Sequence, residues 1–478
     1  MLKKWKWLAA ILLLLTLSGS VALAQAQDIT GDCQYWVSEG SYSKITDTSI
    51  KTGWTPSGIN AEVRFGFPAG TGYLAVEWGD DPTGFVFSQY DENLNPISAT
   101  SEKESFVGIS QMFVLDPNAR YASLTLTQPN QSVQKVRIYS EGELPSDVKN
   151  WLPPYEKCDL MVVSTHQDDE WIFFGGIIPY YDRVQEKRVQ VVYMANCGRT
   201  RKGEALNGLW ASGCLHHPEF IDLMDKRLSS IEDSLALWGG AEVLTGELVE
   251  RIRRFRPEVI LTHDWDGEYG HNQHKLTARF MEQAIVAAAD PNMYPESSAK
   301  YGAWQVKKLY LHLATESPVG FDWNVKYDQL DGQTPLEVAK LAYSKHESQQ
   351  KYYQVEDGGK YDNSLFGLTY SVVGDDVLHN DLFENVVLEP TATPEPTATP
   401  EPVSTQEPAA EIQETPIPTA EPVAANEKGG GAGKVIGLLA GAAALATGGV
   451  LALRIREKRR RKRRRRRRRV QPGAQRRR

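Results

Sequence analysis

Histidine is absent from residues 28–146, and the whole 478-residue chain carries only nine. Any imidazole chemistry must therefore lie downstream of the first third. Basic residues are also scarce where a nucleic-acid partner would need them. Residues 454–478 hold 17 Lys or Arg against one Glu, which leaves 36 basic against 60 acidic residues, a net −24, in everything before them. An acidic body without clustered Lys and Arg lacks the positive field that phosphates require, so no nucleic-acid partner is expected. Cysteine is sparse too, at four positions (Cys33, Cys158, Cys197, Cys214), which allow three pairings. The pairing expected is Cys197 with Cys214, closing a short loop, and Cys33 with Cys158, tying the first folded region to the next; free buried thiols are the alternative. A hydrophobic content of 41% excludes a wholly disordered chain, and the length is enough to bury at least two cores.

The two ends read as topology signals. Lys3, Lys4 and Lys6 precede an apolar run from Trp7 to Leu17 and a small-residue site at Ala22-Leu23-Ala24, the pattern of a signal peptide over residues 1–24. That run is short for a membrane span. Residues 389–433 are rich in Pro, Thr and Glu and cannot bury enough apolar surface to fold, so they are expected to form a disordered linker. Val435 to Leu453 is free of charge and long enough to span a bilayer as one transmembrane helix. The Arg-rich stretch 454–478 then marks the cytoplasmic side, which puts the folded body outside a cell membrane crossed once. Gly437 and Gly441 stand at GxxxG spacing, a weak dimerisation signal that leaves the oligomeric state open.

Between these ends the hydrophobic period changes once. Residues 28–150 run in short alternating segments, such as Ala61-Glu62-Val63-Arg64-Phe65, broken by turn residues, which predicts a β-sandwich. Trp36, Trp54 and Trp78 are expected in its core, with stacking on sugar rings as the alternative. After Pro153-Pro154, apolar runs at 159–164, 188–193, 258–262 and 308–311 alternate with helical patterns at 171–184, 244–255 and 273–288. Such alternation predicts an α/β domain over 157–388, with a Rossmann-like, mostly parallel sheet flanked by helices and a site at the carboxyl ends of its strands.

Two unusual segments follow strand ends. Thr165-His166-Gln167-Asp168-Asp169-Glu170 offers an imidazole and a carboxylate for a metal, with a neighbouring carboxylate to face bound water. Acidic residues at a helix start also suit the helix dipole without any metal, although that does not account for His166. The second segment is His263-Asp264-Trp265-Asp266-Gly267-Glu268-Tyr269-Gly270-His271-Asn272-Gln273-His274, in which His271 and His274 can share one helix face.

Together these segments resemble the PIG-L/LmbE family of zinc-dependent N-acetylglucosamine de-N-acetylases, whose pattern is His-Pro-Asp-Asp-Glu after a strand and His-Pro-Asp-His later. The resemblance spans roughly residues 157–388. It implies Zn²⁺ held by His166, Asp169 and His274, Asp168 as general base, and His271 as auxiliary histidine. Tyr269 matches a tyrosine placed near the substrate carbonyl, and Arg201, in Arg201-Lys202-Gly203-Glu204, matches an arginine of substrate binding. His346-Glu347-Ser348-Gln349 is similar to the family's His-x-Ser-Gln stretch. The chain departs from the pattern at Gln167, in place of proline, and at Asn272-Gln273, in place of Pro-Asp. Residues 213–226 read as an inserted specificity loop in which His216 and His217 are expected to be solvent-exposed.

The resemblance implies hydrolysis of the N-acetyl group of an N-acetylglucosamine-containing glycan or glycolipid, met outside the membrane. In that reaction Tyr269 or protonated His271 would steady the developing oxyanion. Two alternatives stay open: a metal-dependent amidase on a non-sugar substrate, and a catalytically inactive surface protein that binds sugar.

Overall fold

The computed structural model describes residues 24–388, apart from 48, 50, 51 and 103–107. The expected signal peptide (except Ala24), linker, transmembrane helix and tail lie outside the described residues. Among the described residues no helix is long and apolar enough to cross a membrane.

The first region is all antiparallel strands: β1 (Gln34–Val37), β2 (Ala61–Gly66), β3 (Thr71–Trp78), β4 (Phe85–Tyr90), β5 (Pro96–Ser101), β6 (Ser110–Val114), β7 (Tyr121–Leu126) and β8 (Val133–Ser140). They form a five-stranded sheet in the order β1-β2-β7-β4-β5 and a three-stranded sheet in the order β6-β3-β8. Side chains alternate between the faces of a strand, so Val63, Phe65, Phe87 and Leu124 of the larger sheet meet Leu74, Val76 and Ile138 of the smaller in one buried cluster. Trp54 and Trp78 join that cluster as expected. Trp36 does not; it is 48% exposed on the outer face, beneath the guanidinium of Arg64.

The second region is a mixed sheet of seven strands, adding β9 (Leu160–Ser164), β10 (Val189–Asn196), β11 (Glu219–Met224), β12 (Val259–Thr262), β13 (Lys308–His312), β14 (Pro318–Gly320) and β15 (Leu365–Ser371). Its order is β11-β10-β9-β12-β13-β15-β14. The first five strands are parallel, while β15 runs antiparallel to both β13 and β14. Strands β9, β12 and β13 are buried throughout because both faces are covered. In β9, Leu160 and Val162 enter the core on one face, and Met161 and Val163 the core on the other. The chain leaves β9 for β10 on one side and returns to β12 on the other, which opens a crevice at their carboxyl ends.

Several expectations need correction here. The helix expected over 171–184 is broken into Asp169–Ile172, Ile177–Pro179 and a π-turn at Tyr180–Val184. Gly175 and Gly176 break it: Gly175 has φ +51°, and a Cβ on Gly176 would lie 2.5 Å from Pro335 and 2.8 Å from the Trp323 ring. Residues 213–226 are not simply a loop, since Glu219–Met224 pairs with β10 as the edge strand. All four cysteines are free. Cys214 belongs to the core on one face of the sheet while Cys197 packs against the core on the other, so this pair is separated by the sheet. Cys33 packs against the core of the first region and Cys158 lies inside the second, which separates that pair as well. Burial pushes the Cys33 thiol up to about 11 and those of Cys158, Cys197 and Cys214 higher still.

Candidate active site

The end of β9 and the end of β12 lie side by side, and a hydrogen bond fastens them: the Thr165 backbone N–H donates to His263 Nε2 at 2.9 Å. With its Nε2 lone pair engaged, His263 carries its proton on Nδ1 and donates to Glu268 Oε2 at 2.8 Å. His274, in the first turn of the helix Asn272–Ala289, donates from Nδ1 to the same oxygen at 2.7 Å. His312, at the end of β13, donates to Glu268 Oε1 at 2.7 Å. Burial opposes ionisation of Glu268, but His263 and its two fellow histidines outweigh it and hold the carboxyl well below the usual glutamate range. Three imidazoles are thus oriented by one buried carboxylate.

With a proton on Nδ1 facing Glu268, His274 turns Nε2 toward Asp169 Oδ2 at 3.2 Å and His166 Nδ1 at 3.1 Å. His166 Nε2 faces the Gln273 Oε1 acceptor at 3.0 Å, so its proton sits there and Nδ1 is left open, 3.0 Å from Asp169 Oδ2. Three donor atoms therefore form a triangle with edges of 3.0, 3.1 and 3.2 Å. A tetrahedral ion with bonds of about 2.0–2.1 Å needs donors about 3.3 Å apart, a match within a few tenths of an ångström. Burial alone would lower His274, yet Asp169 and Glu268 on its two sides raise it to about 10, so a bound metal ion would take the place of a proton on Nε2. Asp169, although buried, is held well below the carboxylate range by His274 and His166.

Other histidine and carboxylate groupings here include His166, His271 and His274, and also Asp169, His263 and His274. The second set is a poor ligand set because Thr165 occupies His263 Nε2. His271 stands next to the triangle, its ring 4.8 Å from that of His166 and its Nδ1 buried without a hydrogen-bond partner.

Asp168 caps the short helix Asp169–Ile172 with φ +131°, a strained backbone for a residue with a side chain, and it is buried. Burial and the neighbouring Asp169 raise its carboxyl well above the ordinary range, against the pull of Arg201. Arg201, on the helix Arg199–Ala211, contacts Asp168 Oδ1 and the Gln167 carbonyl directly. Glu170 turns away and accepts from the Tyr193 hydroxyl at 2.7 Å; burial raises it to about 7. Tyr269, at φ +46°, stacks on Tyr353 with ring centroids 5.7 Å apart and lies 5.5 Å from the His271 ring. Burial pushes its hydroxyl above the usual tyrosine range, so it remains a donor. Burial, with His274 and His166 nearby, lowers His271 to about 3. The same surroundings disfavour a second proton on the His271 ring.

The profile of the family described as PIG-L: GlcNAc-PI de-N-acetylase matches residues 161–285, from β9 through most of the helix that carries His274. These residues are a PIG-L family domain. Mycothiol S-conjugate amidase of Streptomyces coelicolor is 45% identical over 74 residues, covering 15% of this chain and 25% of that protein. The 1D-myo-inositol 2-acetamido-2-deoxy-alpha-D-glucopyranoside deacetylase of Rhodococcus jostii is 27% identical over 182 residues, covering 32% of this chain and 60% of that protein. The chain thus spans less than two thirds of the length of these relatives. N,N'-diacetylchitobiose deacetylase of Pyrococcus horikoshii aligns in structure with a TM-score of 0.31 and 17% identity, over 41% of this chain and 72% of that one.

The PIG-L domain brings His166, Asp168, Asp169, Tyr269, His271 and His274 into one crevice, with Arg201 against Asp168 rather than pointing away from it. Ser348 joins the later motif to the earlier one, donating from its N–H and hydroxyl to Glu204 at 2.8 and 2.7 Å. His216 and His217 stay out of the triangle; against expectation His217 is buried, and His216 is half-buried. His216 stacks on Tyr155 at 3.6 Å and His217 is buried against Trp151. Glu268 and His312 are the residues sequence reasoning passed over. Glu268 was visible as an acid inside the second motif, whereas His312 had only its place at a strand end to mark it. Gln167, in place of proline, donates to the Ala195 carbonyl at 2.8 Å and pins the loop to β10.

Proposed function

We propose that this chain is an exported, membrane-anchored, zinc-dependent N-deacetylase that hydrolyses the N-acetyl group of an N-acetylglucosamine-containing glycan or glycolipid. The observation that carries the reading is the donor triangle of His166, Asp169 and His274 beside a buried, strained Asp168. The PIG-L match supports amide hydrolysis, and the acetamido-sugar deacetylases among the relatives support the substrate class. The signal-like start and the charge-free stretch before the Arg-rich tail support export and anchoring at a cell membrane. We read residues 28–150 as a separate β-sandwich domain and 157–388 as the deacetylase domain.

His166, Asp169 and His274 would hold Zn²⁺, which when bound polarises a carbonyl and makes water acidic enough to give up a proton near neutrality. Arg201 occupies Oδ1 of Asp168, leaving Oδ2 to accept that proton and return it to the departing nitrogen. The Tyr269 hydroxyl and an N–H of neutral His271 donate to the acetamide oxygen as negative charge grows on it. Phe173, packed against Tyr269 and His274, walls one side and limits access of bulk water.

The test is acetate release from N-acetylglucosamine and short chitin oligomers by the full chain purified in detergent, with chelator and with zinc restored. Chelator-sensitive release that zinc restores is the expected result. A tightly bound metal with no release from any acetylated sugar would overturn the substrate assignment, and the absence of both would overturn the enzyme.

A further inference from the structure

Beyond His271, away from the donor triangle, lies a cleft of about 300 Å³ lined by Lys226, Arg227, Ser229, Asn272 and Lys275 among others, with no carboxylate in its walls. Among the described residues none of these three cations forms an ion pair, in a body that is acidic overall. The nearest acid in sequence, Asp225, turns the other way and stands 3.7 Å from His166 Nε2. The 18-residue helix Asn272–Ala289 begins in the wall of this cleft with no side-chain cap on its first N–H groups, which adds partial positive charge.

The cleft is built by two of the three residues that depart from the family pattern. Asn272 donates from Nδ2 to the Leu228 carbonyl and Gln273 from Nε2 to the Met224 carbonyl, each at 3.0 Å. These bonds hold the segment 224–228, with Lys226 and Arg227, against the helix that carries Lys275. Proline and aspartate at these positions have no side-chain N–H and could make neither bond. Arg227 also reaches over the Tyr269 ring at 5.7 Å, so the cleft opens onto the catalytic pocket.

We propose that this cleft binds an anionic substituent, carboxylate or phosphate, carried by the substrate close to its acetamide, so that charged acetylated sugars are preferred over neutral ones. The inference rests on the deacetylase reading and narrows its substrate class. One charge-assisted hydrogen bond to such a group is worth roughly a tenfold preference or more.

The full chain, purified in detergent and loaded with zinc, is assayed for acetate release from N-acetylglucosamine, its 1-phosphate, its 6-phosphate and N-acetylmuramic acid, alongside the Lys226→Gln/Lys275→Gln double variant. At least one charged sugar should exceed the neutral one in kcat/KM by roughly tenfold, with that ratio falling toward one in the double variant. A phosphate or a carboxylate as the preferred group identifies which anion the cleft takes. Equal kcat/KM for all four sugars, or a preference that survives in the double variant, overturns the proposal while leaving the deacetylase reading intact. If no sugar releases acetate, that reading falls, and calorimetric binding of the same four sugars decides the cleft independently. Tighter binding of a charged sugar that the double variant loses supports the cleft, and equal binding refutes it.

Discussion

Replacing Glu268 by glutamine tests whether the donor triangle is set from behind. In the native side chain Oε2 accepts from His263 and His274, at 2.8 and 2.7 Å, and Oε1 accepts from His312 at 2.7 Å. A glutamine offers one oxygen and one NH₂ group, so one edge of the fork must present hydrogens to imidazole N–H groups. If that edge faces His274, its proton is driven from Nδ1 to Nε2 and the lone pair that points at the triangle is lost. If it faces His312, a buried donor is left unsatisfied at a cost of about 1–3 kcal/mol. Loss of such an outer hydrogen bond to a ligating histidine typically weakens metal affinity about 10–100-fold, or about 1.4–2.8 kcal/mol. Zinc titration against a chromophoric competitor chelator should show this loss in Glu268→Gln, with native circular dichroism and a lower Tm. An unchanged zinc affinity in a folded variant would refute the idea that Glu268 sets the ligand geometry.

Other expectations concern single groups. Asp168→Asn should lower kcat by about 10²-fold or more while zinc stoichiometry, read by atomic emission, stays at the wild-type value; loss of the metal would make Asp168 a ligand instead. Tyr269→Phe should lower kcat by about 10²-fold with little change in KM, since the hydroxyl acts mainly on developing charge. Burial raises Asp182 to about 7 in the folded protein against 3.8 for the free side chain, so its contribution favours folding at low pH and is lost as pH rises from about 4 to 7. Asp182→Asn should therefore raise Tm at pH 8 and leave it nearly unchanged at pH 4; an equal change at both pH values would show that folding does not raise the Asp182 pKa. Thiol titration in denaturant without reductant should find four free thiols, with Cys158 and Cys214 protected in the native state.

The parallel strands were legible because burial on both faces makes them continuous apolar runs, and Leu160–Ser164 and Val259–Thr262 fall within the runs read from the sequence. The helix over Trp171 to Val184 was misread because its pattern is helical while Gly175 must pass close to Asn363 and Gly176 close to Trp323, contacts 188 and 147 residues away in sequence. Strand β11 was missed because an edge strand exposed on one side carries no continuous apolar run, as Glu219 and Asp222 show. The residues at the triangle were legible as a resemblance. The group that orients them was not, because Glu268 stands among several acids in the segment it shares with His263 and His274, and its third partner, His312, lies 44 residues further on. Trp36 went to the surface because β1 is an edge strand whose alternation aims Tyr35 and Val37 at the core.

The contact between the Thr165 N–H and His263 has a consequence for how this protein can vary. The first donor in the series that ends at His274 is a main-chain amide, which no side-chain substitution short of proline removes. The direction in which the central imidazole offers its electrons is therefore inherited from the pairing of two strands, independently of whatever residues form the rim of the crevice. A position such as 272 is then free to be re-lettered, and the rim can acquire a new preference without the centre having to be rebuilt.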